Sequence, residues 1–212
     1  MADWVTISSL ATAGGTLVLA VATFSSVRSA NRSARVAERS LMVGLRPVLI
    51  PSREDDPVEH VRFGDEQLLT VAGHGGVIVV AAEVVYMSIG VRNGGSGLAV
   101  IHGWHVEARE GASDQRPDVE DFRRQQLDIY IPPGDNGTWL GALRDQTEDV
   151  HRSVREAAHS RQGVVLDLLY GDHEGGQRTI VRFVLAAWPG KDGDGRRVTA
   201  LRYWNVDRED PR

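Results

Sequence analysis

The chain has no cysteine, which excludes a disulfide framework, a thiol nucleophile and a thiolate metal site. Lysine is almost missing as well, Lys191 being the only one among 24 basic residues. The catalytic signatures G-x-S-x-G and H-E-x-x-H are absent, as is the phosphate loop G-x-x-x-x-G-K-[ST]. The glycines of "RNGGSG" lack the strand-to-helix setting of a dinucleotide site, and no βαβ alternation appears. These absences leave no cofactor and no metal assigned from sequence.

A local absence is more informative. From Trp4 to Val27 the text "WVTISSLATAGGTLVLAVATFSSV" carries no charged side chain. As a helix these residues would extend roughly 36 Å, enough for a hydrocarbon core of about 30 Å. A cleaved signal peptide is the rival. It would want a cationic start and a shorter apolar run, whereas Asp3 precedes this one. The expectation is an uncleaved single-pass anchor.

Charge is unevenly placed. Residues 28–46 hold Arg28, Arg32, Arg35, Arg39 and Arg46 against Glu38, a net of +4. The 19 basic and 27 acidic side chains of residues 47–212 give a net of −8. Arginines just after the span place the C-terminal side in the cytoplasm by the positive-inside tendency, leaving a short N-terminus outside. An acidic main domain argues against nucleic-acid binding, which needs phosphates neutralised. Spacings of four, three and four gather Arg28, Arg32, Arg35 and Arg39 on one side of a helix. That stripe would attract anionic lipid headgroups, or simply set topology. The helix should stop near Leu45, because Pro47 disfavours helical geometry before it.

Within the span, Ser8, Thr12, Thr16 and Ala20 recur every four residues, with Ala11 and Gly15 beside them. Small residues at this spacing permit close helix–helix approach and self-association. They are also the ordinary make-up of a moderately apolar anchor.

From residue 46 the period becomes that of strands. "VRFGDEQLLTVAG", "GVIVVAAEVVYMSIGVRN", "GLAVIHGWHVEARE", "GVVLDLLY", "RTIVRFVLAAW" and "RVTALRYWNV" alternate or are β-branched between turn residues. In one of them Val85, Met87, Ile89 and Val91 should face opposite to Tyr86, Ser88, Gly90 and Arg92. "NGGSG" at 93–97 reads as a hairpin connection. One helix is expected over 145–161 and a shorter one over 118–126. The fold class expected is mainly β: an antiparallel sandwich of immunoglobulin-like outline with one or two short helices, after a long transmembrane and juxtamembrane helix. The domains are then 1–45 and 46–212.

Chemistry is thin. Asp172, His173 and Glu174 stand in a row, but neighbours in an extended chain point to opposite faces. Gly175 and Gly176 mark the same stretch as a hairpin tip between "VVLDLLY" and "QRTIVRF", with Arg178 and Arg182 sharing a face of the returning strand. His102 and His105 resemble a ligand pair, yet simple alternation puts His102 with Trp104 and His105 with Ile101. "KDGDG" at 191–195 is a fragment of a calcium loop, and Asp192 has no glutamate at the twelfth position.

"LAVATFSSVRSANRSARVAERSL", "GLRPVLIPSREDDP", "VRNGGSGLAVIHGW", "GDNGTWLGALRD", "YGDHEGGQRTIVRF" and "RYWNVDREDPR" together cover most of the chain in order. In these strings it resembles an uncharacterised group of small actinobacterial membrane-anchored proteins. The resemblance implies one N-terminal membrane helix and one β-rich domain, and carries over no catalytic residue. The function expected is a non-enzymatic, membrane-tethered interaction protein. Its partners would be the anionic bilayer and either another protein or a second copy. The alternatives are a hydrolase using Asp167, Asp172, His173 or Glu174, and a small-molecule or lipid sensor.

Overall fold

The computed structural model describes residues 3–109, 113–188 and 193–210. The chain divides into two compact units, Met1–Gly44 and Leu45–Arg212.

The first unit is one helix, α1 (Trp4–Gly44, 41 residues). Its hydroxyls are tied back into the helix: Thr12 donates to the Ser8 carbonyl at 2.9 Å, Thr16 to Thr12 at 2.8 Å and Thr23 to Leu19 at 2.7 Å. Satisfied in this way, they can enter an apolar medium without an orphaned donor. Ser8–Met42 has a mean hydropathy of 1.6 over its best window and is long and apolar enough to cross a membrane. Leu17, Leu19 and Phe24 are each about two-thirds exposed.

The second unit is mainly β and antiparallel. Its strands are β1 (Leu49–Pro51), β2 (Glu59–Arg62), β3 (Leu68–Val71), β4 (Gly75–Ala81), β5 (Val84–Asn93) and β6 (Ala99–Ala108). There follow β7 (Arg123–Ile131), β8 (Asn136–Leu143), helix α2 (Asp149–Ser160), β9 (Val164–Gly171), β10 (Arg178–Ala187) and β11 (Gly195–Asn205). Among the described residues nine strands join in the order β1-β5-β4-β11-β10-β9-β6-β7, with β8 on the other edge of β5. The sheet curls until β7 and β8 neighbour each other. β2 and β3 form a separate hairpin whose Leu69 and Val71 pack with Val77 and Tyr86 on the sheet's outer face.

Alternation fills the inside as expected, with Val85, Met87, Ile89 and Val91 in the main core. They meet Val164, Leu166, Leu168 and Tyr170 of β9, all 1% exposed or less. Each side chain of this kind contributes about 1.5–3 kcal/mol on burial. β9 is buried on both faces, because residues 113–122 strap across its outer side and bring Val119 and Phe122 onto Leu169, Ile180 and Trp204.

Several local expectations are corrected. "NGGSG" is not a hairpin connection: β5 pairs with β1, β4 and β8, while β6 pairs with β7 and β9. The loop instead clasps the segment leading into β1. Gly94 N–H donates to the Val48 carbonyl at 2.8 Å, and Ser96 N–H donates to that of Arg46 at 3.3 Å. A Cβ on Gly97 would collide with the Leu45 carbonyl, and one on Gly95 with that of Arg46. Close approach, not turn geometry, sets these glycines.

The 145–161 helix starts later, at Asp149, because the Asp145 carboxylate accepts from both the N–H and the hydroxyl of Thr147 and closes a turn first. It ends on Arg161 in the left-handed region, φ 57°. The 118–126 helix shrinks to one 3-10 turn, Val119–Asp121, capped by Asp118. Packing of Phe122 in the outer cluster and pairing of Arg123 and Arg124 with β6 override the local helical tendency.

Candidate functional site

The β9–β10 hairpin is closed by the pair Gly171↔Arg178, leaving residues 172–177 as its loop. Asp172 is only 6% exposed, and its Oδ1 accepts from the N–H of Gly176 at 2.8 Å and of Gln177 at 3.2 Å. Its own N–H donates to the Gln177 carbonyl, and Gly175 takes the positive φ of 74° that the tip requires. The carboxylate that headed the candidate triplet therefore shapes the loop. His173 and Glu174 stand exposed at the tip.

Asp167 lies back along β9 and belongs to a different cluster. It is fully buried, and Arg182 of β10 grips it with two parallel bonds, Nε to Oδ1 and Nη2 to Oδ2, each 2.7 Å. Both residues sit on the outer side of the sheet because Asp167↔Arg182 is a registered cross-strand pair. The second Nη of Arg182 donates to the carbonyls of Ser113 and Gln115, fastening the strap. Its guanidinium also lies 5.0 Å above the Trp204 ring. The bond to Asp167 holds the Arg182 pKa above its ordinary value.

A bulge corrects the histidine parity. β6 pairs Ile101↔Tyr170 and then Gly103↔Leu169, so His102 is an extra residue. Trp104 and Val106 thereby join Ile101 in the core, and His105 turns outward to stand opposite Asp167. Its Nδ1 lies 3.5 Å from Asp167 Oδ2 and its Nε2 3.8 Å from Glu107 Oε1. The imidazole opens onto a cleft of about 480 Å³ beneath the strap, where Arg109, Arg116, Asp118 and Asp121 also face in. The 3.5 Å approach to Asp167 is not a hydrogen bond: His105 Nδ1 is buried without a hydrogen-bond partner among the described residues. His102 lies apart, its pKa lowered by burial and then by Arg178.

The four acid–base candidates thus divide into a buried ion pair (Asp167), a loop closure (Asp172) and an exposed tip (His173, Glu174). Arg178 and Arg182 separate likewise, the first exposed and the second buried. Among the described residues no group of three or more His, Asp or Glu could hold a metal ion. Of the calcium-like fragment, Lys191 and Asp192 lie outside the described residues.

On α1, Ser8, Thr12, Gly15, Thr16 and Ala20 are exposed, as are Arg28, Arg32 and Arg35. Ala11 and Arg39 belong to the helix, but their side chains fall outside the described set.

Sequence reading missed the Asp167–Arg182–His105 cluster. It draws on three strands and depends on a bulge, so no spacing announces it. It also missed Arg46, which donates to Asn205 Oδ1 at 2.8 Å, Thr179 Oγ1 at 2.9 Å and Asp207 Oδ1 at 2.9 Å. Asn93 passed unremarked as well. Fully buried, it donates to the Gly97 and Ile131 carbonyls and accepts from the N–H of Val48 and Gly95. Comparison with protein-family models, with curated proteins and with solved structures finds no match for this chain.

Proposed function

We propose that this chain is a single-pass membrane protein of non-enzymatic function. Its N-terminus lies outside, and its β-rich domain is displayed in the cytoplasm to a protein partner. The observation that carries this reading is α1. Its apolar side chains from Leu10 to Val27 are exposed along the helix, and such a surface demands lipid or protein cover. Arg28, Arg32 and Arg35 follow directly and suit the headgroup layer of an anionic cytoplasmic leaflet.

Self-association through Ser8, Ala11, Thr12, Gly15, Thr16 and Ala20 is the second element of the proposal. The grouping with small actinobacterial membrane-anchored proteins is the third. We read the curled sheet further as an immunoglobulin-like sandwich, which the edge-on contact of Trp104 and Trp139 at 5.5 Å between β6 and β8 supports. Against a hydrolase at the 172–174 loop stands the commitment of Asp172 Oδ1 to two N–H groups of its own loop.

Protease added to intact cells, followed by crosslinking of the membrane-bound protein in its host, tests the reading. The domain should survive the protease, and crosslinking should capture a partner. Digestion of the domain, or recovery of the chain alone in monomeric form, would overturn it.

A further inference from the structure

β7 and β8 are consecutive antiparallel strands, yet among the described residues no ladder joins them. The cause lies in β7. It pairs with β6 as Ile101↔Ile129 and next as Gly103↔Arg124, so residues 125–128 bow out opposite His102. β8 is paired on its β5 side only. Its other edge, at Leu140 and Ala142, borders a groove of about 560 Å³. Trp104, Leu127 and Leu140 supply apolar surface there, with Arg123, Arg124 and Arg144 around it.

One side chain bridges the opening. The Gln125 carboxamide donates to the Leu140 carbonyl at 3.2 Å and accepts the Trp139 indole N–H at 3.2 Å. A carboxamide presents the same C=O and N–H pair as a peptide group. Gln125 therefore occupies the opening with the chemistry that a passing main chain would offer. The Leu140 carbonyl points into the groove, and strand alternation aims the main-chain groups of Ala142 the same way.

We propose that this seam receives an extended, carboxylate-bearing strand of a partner protein, which pairs with the β8 edge at Leu140–Ala142 and displaces the Gln125 carboxamide. Open strand edges are either protected or used for strand addition. The charge follows from the surroundings: Arg123, Arg124 and Arg144 line the groove with Asp65 and Asp145, a net of +1 in a segment, residues 47–212, of net charge −8. Arg123 and Arg144 already hold Glu148 and Asp65, and Arg124 is exposed. Leu127, 67% exposed on the bowed segment, offers an apolar contact to alternate side chains. The inference deepens the interaction reading above and rests on it.

The test uses the full-length protein in lipid nanodiscs. Gln126→Cys, at an exposed position lining the groove, creates a unique thiol in a chain without cysteine, to carry an environment-sensitive dye. The probes are capped nonapeptides alternating Val with Glu or Val with Lys, and a Glu peptide with central prolines that remove main-chain donors. The Glu peptide should give a saturable change, weakened severalfold by Arg124→Glu and strengthened by Gln125→Ala. The Lys and proline peptides should bind at least about tenfold more weakly.

Equal binding by the proline peptide, or silence with all three, would overturn the seam. So would a dye change that tracks protein concentration alone, which would put a second copy there. A silent titration beside successful host crosslinking fails the seam only, whereas failure of both fails the interaction reading.

Discussion

Asp167 shows most plainly how a single residue is committed. Its carboxylate is fully buried, and both oxygens are bonded by a guanidinium that is itself 4% exposed. Breaking such a pair leaves a charge in the interior, which costs about 3–5 kcal/mol. Asp167→Asn should lower urea-unfolding stability by that order. It should also release the 113–122 strap from Trp204, seen as a shift in tryptophan emission. Unchanged stability would mean that Arg182 finds compensation elsewhere.

Asp65 makes the opposite case, an exposed carboxylate with good partners. It accepts from the Arg144 guanidinium and the Tyr86 hydroxyl, each at 2.6 Å, and these bonds lower its pKa from 3.8 to about 2. The Tyr86 pKa rises through burial and then through Asp65. A depressed carboxylate stabilises above its unfolded pKa and loses that contribution as pH falls through the folded value. The β2–β3 hairpin should therefore keep its Phe63–Tyr86 contact of 4.9 Å at pH 4 and loosen between about 4 and 2. In Asp65→Asn this transition should vanish, and near-ultraviolet dichroism would follow it.

At the scale of elements, the glycines of the 93–97 loop matter more than their turn-forming reputation. Gly97→Ala pushes a methyl into the Leu45 carbonyl and should cost about 1–3 kcal/mol, as overpacking does. Ser96→Ala in the same loop should be nearly silent, and a thermal melt of both variants checks the contrast. This loop also shows where sequence reading stops. The period-2 pattern of 84–93 put Val85, Met87, Ile89 and Val91 on one shared face, which the fold turns into the main core, because alternation is a local property of the strand. Which strand β5 would pair with is not local, and "NGGSG" reads the same as a hairpin or a clasp. The bulge at His102 reversed the histidine parity for the same reason, since an extra residue answers to the partner strand and not to its neighbours. The 172–177 loop lay within one hairpin, and its form was legible. The Asp167 cluster spans β6, β9, β10 and the strap, and was not.

For the whole molecule, an apolar helix and an acidic β-rich domain are read as an anchor and its cargo. Asp3 precedes the helix, and His173 sits at the exposed tip of the β9–β10 loop. The cysteine-free background turns this layout into a direct measurement: single substitutions Asp3→Cys and His173→Cys, each treated in intact cells with a membrane-impermeant maleimide. Asp3→Cys should label in intact cells, and His173→Cys only after the membrane is breached. Labelling of His173→Cys from outside, or its release with the soluble fraction, would contradict a domain tethered on the cytoplasmic face.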